Sequence, residues 1–272
     1  MDLTERCFAM KIFDAHVHVF PDKIAKKATD ATGSYYGIKM YTVGTFDNIK
    51  KEIASGKVNK CLIHSTATKA SQVESVNDYI SSLVHEDNDL IGFGSMHADY
   101  PQIESEIERM QKLGLLGIKL HTDFQGFPID DEKAYAIYES ARGKLPILFH
   151  VGDTKSDLSH PKRLERVLDK YPDLTVIAAH LGGYSVWKEA LCLAGRPGNL
   201  YLDASSSLEF LPPEEAKAII LRHGTDRVLF GSDFPMHDPA NTAKLLLNLK
   251  LKDSDYEKIF HENAEKLFGV KC

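Results

Sequence analysis

Histidine is the residue to follow in this chain. His16 and His18 form a His-x-His pair inside the apolar run Ile12-Phe13-Asp14-Ala15-His16-Val17-His18-Val19, and His64, His97, His121, His150 and His180 close other apolar runs. Seven of the twelve histidines thus end β-like segments. Imidazole is the commonest metal-binding side chain. Successive strand residues point to opposite faces, so His16 and His18 aim to the same side and can bind one ion. Asp233 closes the run Arg227-Val228-Leu229-Phe230-Gly231-Ser232-Asp233 and adds a carboxylate of the kind found in catalytic metal sites. A lone histidine after an apolar run is usually a hydrogen-bonded structural residue, and His64 and His97 are read that way. Repetition at one strand end after another points to metal-assisted chemistry.

The elements that must position these groups recur along the chain. Apolar runs at 11–19, 58–65, 90–97, 115–121, 145–151, 174–180, 199–204 and 227–233 predict eight strands, with amphipathic segments between them. Ser159 with Pro161, and Pro212-Pro213-Glu214-Glu215, open two of the helices, while Gly114 and Gly224 close two. After Pro101, the spacing of Ile103, Ile107, Met110 and Leu113 gives one buried stripe. The expected fold is α/β, a single-domain (β/α)8 TIM barrel whose active site lies at the strand C-termini. An open doubly wound sheet is disfavoured, because no Gly-x-Gly-x-x-Gly follows the first strand and no P-loop occurs. An extended loop is expected after strand 1, over residues 20 to 57. It contains Thr32-Gly33-Ser34-Tyr35-Tyr36-Gly37, a segment suited to a substrate lid or to an ordinary surface loop.

With 272 residues the chain suits one such barrel, residues 11–272, behind an N-terminal extension of residues 1–10. A formal charge of -6 offers no basic surface for a nucleic-acid backbone, so a small-molecule substrate is expected. Cys7, Cys61, Cys192 and Cys272 are scattered and suggest neither a zinc ribbon nor a disulfide scaffold. No export signal or membrane-spanning stretch is read from the sequence, and a cytoplasmic location fits. A homo-oligomer is compatible with the chain.

The series Phe13-Asp14-Ala15-His16-Val17-His18, Gly117-Ile118-Lys119-Leu120-His121, Phe149-His150, Ala179-His180-Leu181-Gly182-Gly183 and Phe230-Gly231-Ser232-Asp233-Phe234-Pro235 resembles the amidohydrolase superfamily. It looks most like the branch holding aminocarboxymuconate-semialdehyde decarboxylase, related aromatic-acid decarboxylases and lactone hydrolases. His261-Glu262-Asn263-Ala264-Glu265-Lys266-Leu267-Phe268-Gly269 resembles that branch's closing helix. The resemblance implies that His16, His18, His150 and Asp233 are the metal ligands. It places His180 beside the metal-activated water or the substrate, with Asp233 and His180 as catalytic groups. Zinc is the expected ion, one per chain, with two as the alternative; manganese or iron suits the same ligands.

Lys119 alternates with Ile118 and Leu120, so it shares a strand face with His121, and both are read as substrate-binding. By resemblance, Lys119 could instead be carboxylated and bridge two metals with His150 and His180. A free ammonium gripping a substrate carboxylate, or a buried lysine paired with an acid, are the other readings. A free lysine beside one ion is expected. Gly182-Gly183 suits a sharp turn, and Trp187 is placed on the helix that follows. Arg142, Arg163 and Arg166 are placed on solvated helix faces. Phe124, Gln125 and Phe127 are equally suited to substrate contact and to loop packing.

The leading function is a metal-dependent hydrolase of a small, carboxylated amide, cyclic amide or lactone. The alternative is a non-oxidative decarboxylase of a small aromatic or unsaturated acid. A metal-dependent deoxyribonuclease of the TatD type is disfavoured by Lys119, where a glutamate is expected, and by the acidic charge.

Overall fold

The computed structural model describes residues 10–272. Residues 1–9 of the expected N-terminal extension, Cys7 among them, lie outside the described residues. Eight strands follow one another: β1 (Phe13–His18), β2 (Lys60–His64), β3 (Leu90–Ser95), β4 (Gly117–Leu120), β5 (Ile147–Phe149), β6 (Val176–Ala178), β7 (Leu200–Asp203) and β8 (Val228–Leu229). They form one sheet in that order, and each lies inside one of the eight apolar runs. β1 also bonds to the end of the β8 segment: Ala15 N donates to Phe230 O at 2.9 Å and His18 N to Phe234 O at 2.7 Å. The architecture is the expected (β/α)8 barrel.

The helices are α1 (Asp22–Tyr36), α2 (Phe46–Ala54), α3 (Val73–Glu86), α4 (Ile103–Lys112), α5 (Thr122–Gln125), α6 (Tyr135–Ala141), α7 (Pro161–Lys170), α8 (Pro213–His223), α9 (Pro239–Leu247), α10 (Asp253–Glu257) and α11 (Asn263–Phe268). The chain divides into two compact units. Among the described residues, one comprises residues 10–63, Glu86–Ile91 and Ala204–Cys272; the other comprises His64–His85 and Gly92–Asp203.

In the first unit, the long connection after β1 is built by α1 and α2. The segment read as either a lid or a surface loop is the C-terminal end of α1, closed by Gly37 at φ 69°. Gly33 lies inside that helix, where a Cβ would come within 2.9 Å of Ile38 O, so its role is close approach. Thr45 caps α2 by accepting from Asn48 N at 3.2 Å. At the far end of the chain, Asn263 Nδ2 donates to Thr225 O and Val228 O at 2.8 and 2.7 Å, tying α11 to the β8 strand.

In the second unit, β4, β5, β6 and residues 92–95 of β3 pair in parallel and are buried along their length, as strands covered on both faces must be. Gly117 pairs with Phe93, and a Cβ there would lie 2.3 Å from the Phe93 ring. The ring therefore takes the space of a missing side chain. On α4, Ile107 and Met110 are buried as the periodicity requires, and so is Glu106, held by Asn77 Nδ2 and Arg109 Nε at 2.7 Å each. The His160 ring, rather than Ser159, caps α7 by accepting from Lys162 N at 3.2 Å.

The link from β6 to β7 departs from expectation. It holds two 3-10 turns, His180–Gly182 and Glu189–Cys192, and no α-helix. Trp187 accordingly stands in a turn, with Nε1 donating to His180 O at 3.0 Å. Gly182, Ser185, Gly195 and Gly198 take left-handed φ values of 85°, 61°, 83° and 99°, so the backbone leaves the right-handed helical region at both ends of this link.

Candidate metal centre

The first unit brings three expected ligands together. His16 and His18 project from β1 to the same side, with Nε2 atoms 3.3 Å apart. Asp233 Oδ1 lies 3.5 Å from His16 Nε2 and 3.2 Å from His18 Nε2. Two donors bonded to one ion at about 2.1 Å stand about 3.0 Å apart in octahedral geometry and about 3.4 Å apart in tetrahedral geometry. The three observed separations match those edges. Two imidazoles and a carboxylate also form a suitable donor set for zinc or manganese. The residues present therefore fit a divalent ion.

The backbone holds this cluster by an arrangement centred on Asp14, which is wholly buried. Its Oδ1 accepts from His16 N at 3.1 Å and from Ser232 N at 2.9 Å, and its Oδ2 accepts from the Ser232 hydroxyl. Asp233 N donates to His16 O at 3.0 Å, and Asp233 takes a left-handed φ of 61°, which turns its side chain out of the strand path. Aspartate is among the few residue types that tolerate this conformation.

In the second unit, His150 and His180 meet. His150 Nε2 lies 2.9 Å from Gly152 O, which requires an N–H on Nε2 and leaves Nδ1 as the basic nitrogen. That Nδ1 faces His180 Nε2 at 2.9 Å. His180 and Leu181 adopt left-handed φ values of 61° and 50°, and His180 N donates to Asp203 Oδ1 at 3.2 Å. Gly152 is required here, since a Cβ would lie 2.6 Å from the Gly183 and Tyr184 backbone.

His121 stacks flat on Phe124 and on His150, each at 3.9 Å between ring centroids. Asp123 Oδ2 stands 3.9 Å from both His121 Nδ1 and His150 Nε2, and burial raises the Asp123 carboxyl above its usual range. Lys119, two residues before His121, is fully buried in β4. Gln125 is a packing residue: its Nε2 donates to Ala67 O and Met96 O, and its Oε1 accepts from His121 N. Phe124 belongs to the histidine stack, and Phe127 packs edge-on against His97 at 5.5 Å. His97 is structural as expected, with Nδ1 accepting from Asp99 N and Nε2 facing Gln125 O. Arg163 and Arg166 share the carboxylate of Asp130 at 2.7 and 2.6 Å, so they form a bridge rather than a purely solvated face.

Sequence reasoning passed over Ser205, Ser206, His237 and Glu209, all in the first unit. Ser205 Oγ lies 3.1 Å from His16 Nδ1, and Ser206 Oγ donates to Asp233 Oδ2 at 2.6 Å. His237 Nε2 lies 3.1 Å from Ser206 Oγ. Burial raises the Glu209 carboxyl above its usual range, aided by Asp233 and opposed by His237 and Thr242. The available signal was the hydroxyl run Ser205-Ser206-Ser207, one residue past the end of β7, at a strand end that carries no histidine.

The amidohydrolase family profile matches residues 13–270. The chain belongs to the amidohydrolase family. Within that family, it is 29% identical over 123 residues to a gamma-resorcylate decarboxylase of Polaromonas sp., an alignment covering 38% of this chain and 37% of the relative. Among solved structures, it is similar to an uncharacterised TIM-barrel protein of Bordetella bronchiseptica, with a TM-score of 0.76 and 20% identity over 96% of this chain and 99% of that one. It is also similar to a dihydroxybenzoic acid decarboxylase of Polaromonas sp., solved with manganese and 2-nitroresorcinol bound. There the TM-score is 0.74, with 17% identity over 96% of this chain and 97% of that one. These structural likenesses establish the barrel fold of this amidohydrolase. Among the described residues, no helix is long and apolar enough to cross a membrane.

Proposed function

We propose that this amidohydrolase is a metal-dependent, non-oxidative decarboxylase of a small hydroxylated aromatic or unsaturated carboxylic acid. Of the two reactions left open by the sequence motifs, decarboxylation is preferred to hydrolysis because of the sequence match to the gamma-resorcylate decarboxylase. The metal requirement is supported by the meeting of His16, His18 and Asp233. His150 is assigned as the fourth ligand on the family resemblance. A divalent ion held by this set, manganese or zinc, supplies positive charge for the substrate carboxylate and its neighbouring oxygen.

Loss of carbon dioxide leaves an electron pair on the carbon that carried the carboxylate, so that carbon must gain a proton. Asp233 is assigned to deliver it and to recover one from solvent afterwards, which balances the reaction. His180 is assigned to donate to the substrate oxygen on which charge develops. Lys119, as an uncarboxylated ammonium, and His121 are assigned to the anionic part of the substrate.

The test uses protein reconstituted separately with manganese and with zinc, offered 2,6-dihydroxybenzoate, other hydroxybenzoates, lactones and amides. Carbon dioxide and the matching phenol should appear in equal amounts. Asp233→Asn should lose at least about a hundredfold of the rate, with metal content measured alongside. Hydrolysis of a lactone or amide, with no carbon dioxide from any acid, would overturn the decarboxylase reading in favour of the hydrolase.

A further inference from the structure

We propose that Ser205, Ser206 and His237 are positioning residues that decide which atoms of His16 and Asp233 face the metal, an inference that rests on the metal site proposed above. The two serines are adjacent in sequence, and each serves a different ligand. Neutral imidazole carries one N–H, so a His16 that offers its Nε2 lone pair to an ion carries its hydrogen on Nδ1. Ser205 Oγ, 3.1 Å from Nδ1, accepts that hydrogen and fixes both the tautomer and the ring angle.

Ser206 acts on the carboxylate. Its hydroxyl donates to Asp233 Oδ2 at 2.6 Å, leaving Oδ1 as the atom that faces His16 and His18. A serine hydroxyl has one hydrogen, and Met236 Sδ stands 3.4 Å away as a competing, weaker acceptor. His237 Nε2, 3.1 Å from Ser206 Oγ, donates to that oxygen and so directs the hydroxyl hydrogen to Asp233. Phe210 packs edge-on against the His237 ring at 5.8 Å and holds it. Both partners of the Ser206–Asp233 bond, neither of them glycine, occupy left-handed backbone, at φ 43° and 61°. Backbone is held in that region only where surrounding structure enforces it. The resulting chain runs from His237 N–H to Ser206 O–H to Asp233 Oδ2.

The experiment measures manganese affinity of the full chain by competition titration, and the visible absorption spectrum of cobalt-substituted protein, with circular dichroism as the fold control. Ser205→Ala and Ser206→Gly should each weaken manganese binding by about 10–100-fold, while glycine tolerates the left-handed backbone at position 206. His237→Leu should weaken it in the same direction, and His237→Gln, which keeps an N–H near the same place, should restore most of the affinity. The cobalt spectrum should change in Ser205→Ala and Ser206→Gly, which a loss of general stability would not cause. Folded serine variants that bind manganese within about twofold of wild type would overturn the inference and leave the metal site standing. Equal weakening by His237→Leu and His237→Gln would overturn the part assigned to His237. A wild type that takes up no ion overturns both the inference and the site.

Discussion

Removing the Asp14 carboxylate should loosen the two strands that carry the candidate ligands. Asp14 is wholly buried and accepts from His16 N, Ser232 N and the Ser232 hydroxyl, so it joins β1 to the segment leading to Asp233. Asp14→Ala leaves three buried donors without their acceptor. Each such loss costs about 1–3 kcal/mol, and partial relaxation brings the expected total to about 3–6 kcal/mol. For a domain of this size that lowers the unfolding midpoint by on the order of 10 °C. Asp14→Asn should cost less, since its carbonyl oxygen still serves the two backbone N–H groups and only the Ser232 hydroxyl meets a donor. Thermal unfolding followed by circular dichroism gives the midpoints, and metal titration of the folded variants reports the ligand geometry. The expected order of stability is wild type, then Asn, then Ala, with metal affinity falling in the same order. A midpoint for Asp14→Ala within about 2 °C of wild type would refute the reasoning, because three buried donors cannot all lose their acceptor at no cost.

Gly117→Ala places a methyl 2.3 Å from the Phe93 ring and should cost about 1–3 kcal/mol by overpacking; Phe93→Leu in the same chain should recover part of it in urea denaturation. Lys119→Met should raise KM for an acidic substrate strongly and leave metal stoichiometry near one, as elemental analysis would show. Glu209 should make stability depend on pH. Its carboxyl is raised in the folded protein chiefly by burial, so its contribution is fully present below the ordinary glutamate range and is lost as pH rises through the raised value. Glu209→Gln should therefore reduce the loss of midpoint temperature across that window, while an unchanged pH profile would contradict the assignment.

The strands, and the ends that carry the candidate ligands, were legible because they follow local rules. Eight apolar runs ended where a barrel needs them to end, and the two-residue spacing of His16 and His18 fixed their common direction. Gly33 misled because an isolated glycine reads as a loop, whereas here it allows α1 to approach Ile38 and Met40. Trp187 misled because alternation of strand and helix was carried one unit too far, into a link whose backbone turns left-handed at Gly182, Ser185 and Gly195. Gln125 was ambiguous because only the fold brings Ala67 O and Met96 O to its amide. Ser205 and Ser206 were passed over for a deeper reason. A hydroxyl has no periodic signature, and its partners lie 189 and 27 residues away along the chain.

The proposed chemistry depends on a divalent ion held by His16, His18 and Asp233. Anomalous diffraction from crystals of manganese- or zinc-loaded protein locates such an ion directly. One strong peak per chain is expected, about 2.0–2.2 Å from His16 Nε2, His18 Nε2 and Asp233 Oδ1. A fully loaded protein whose only peak lies away from these three atoms, or that shows none, would contradict it.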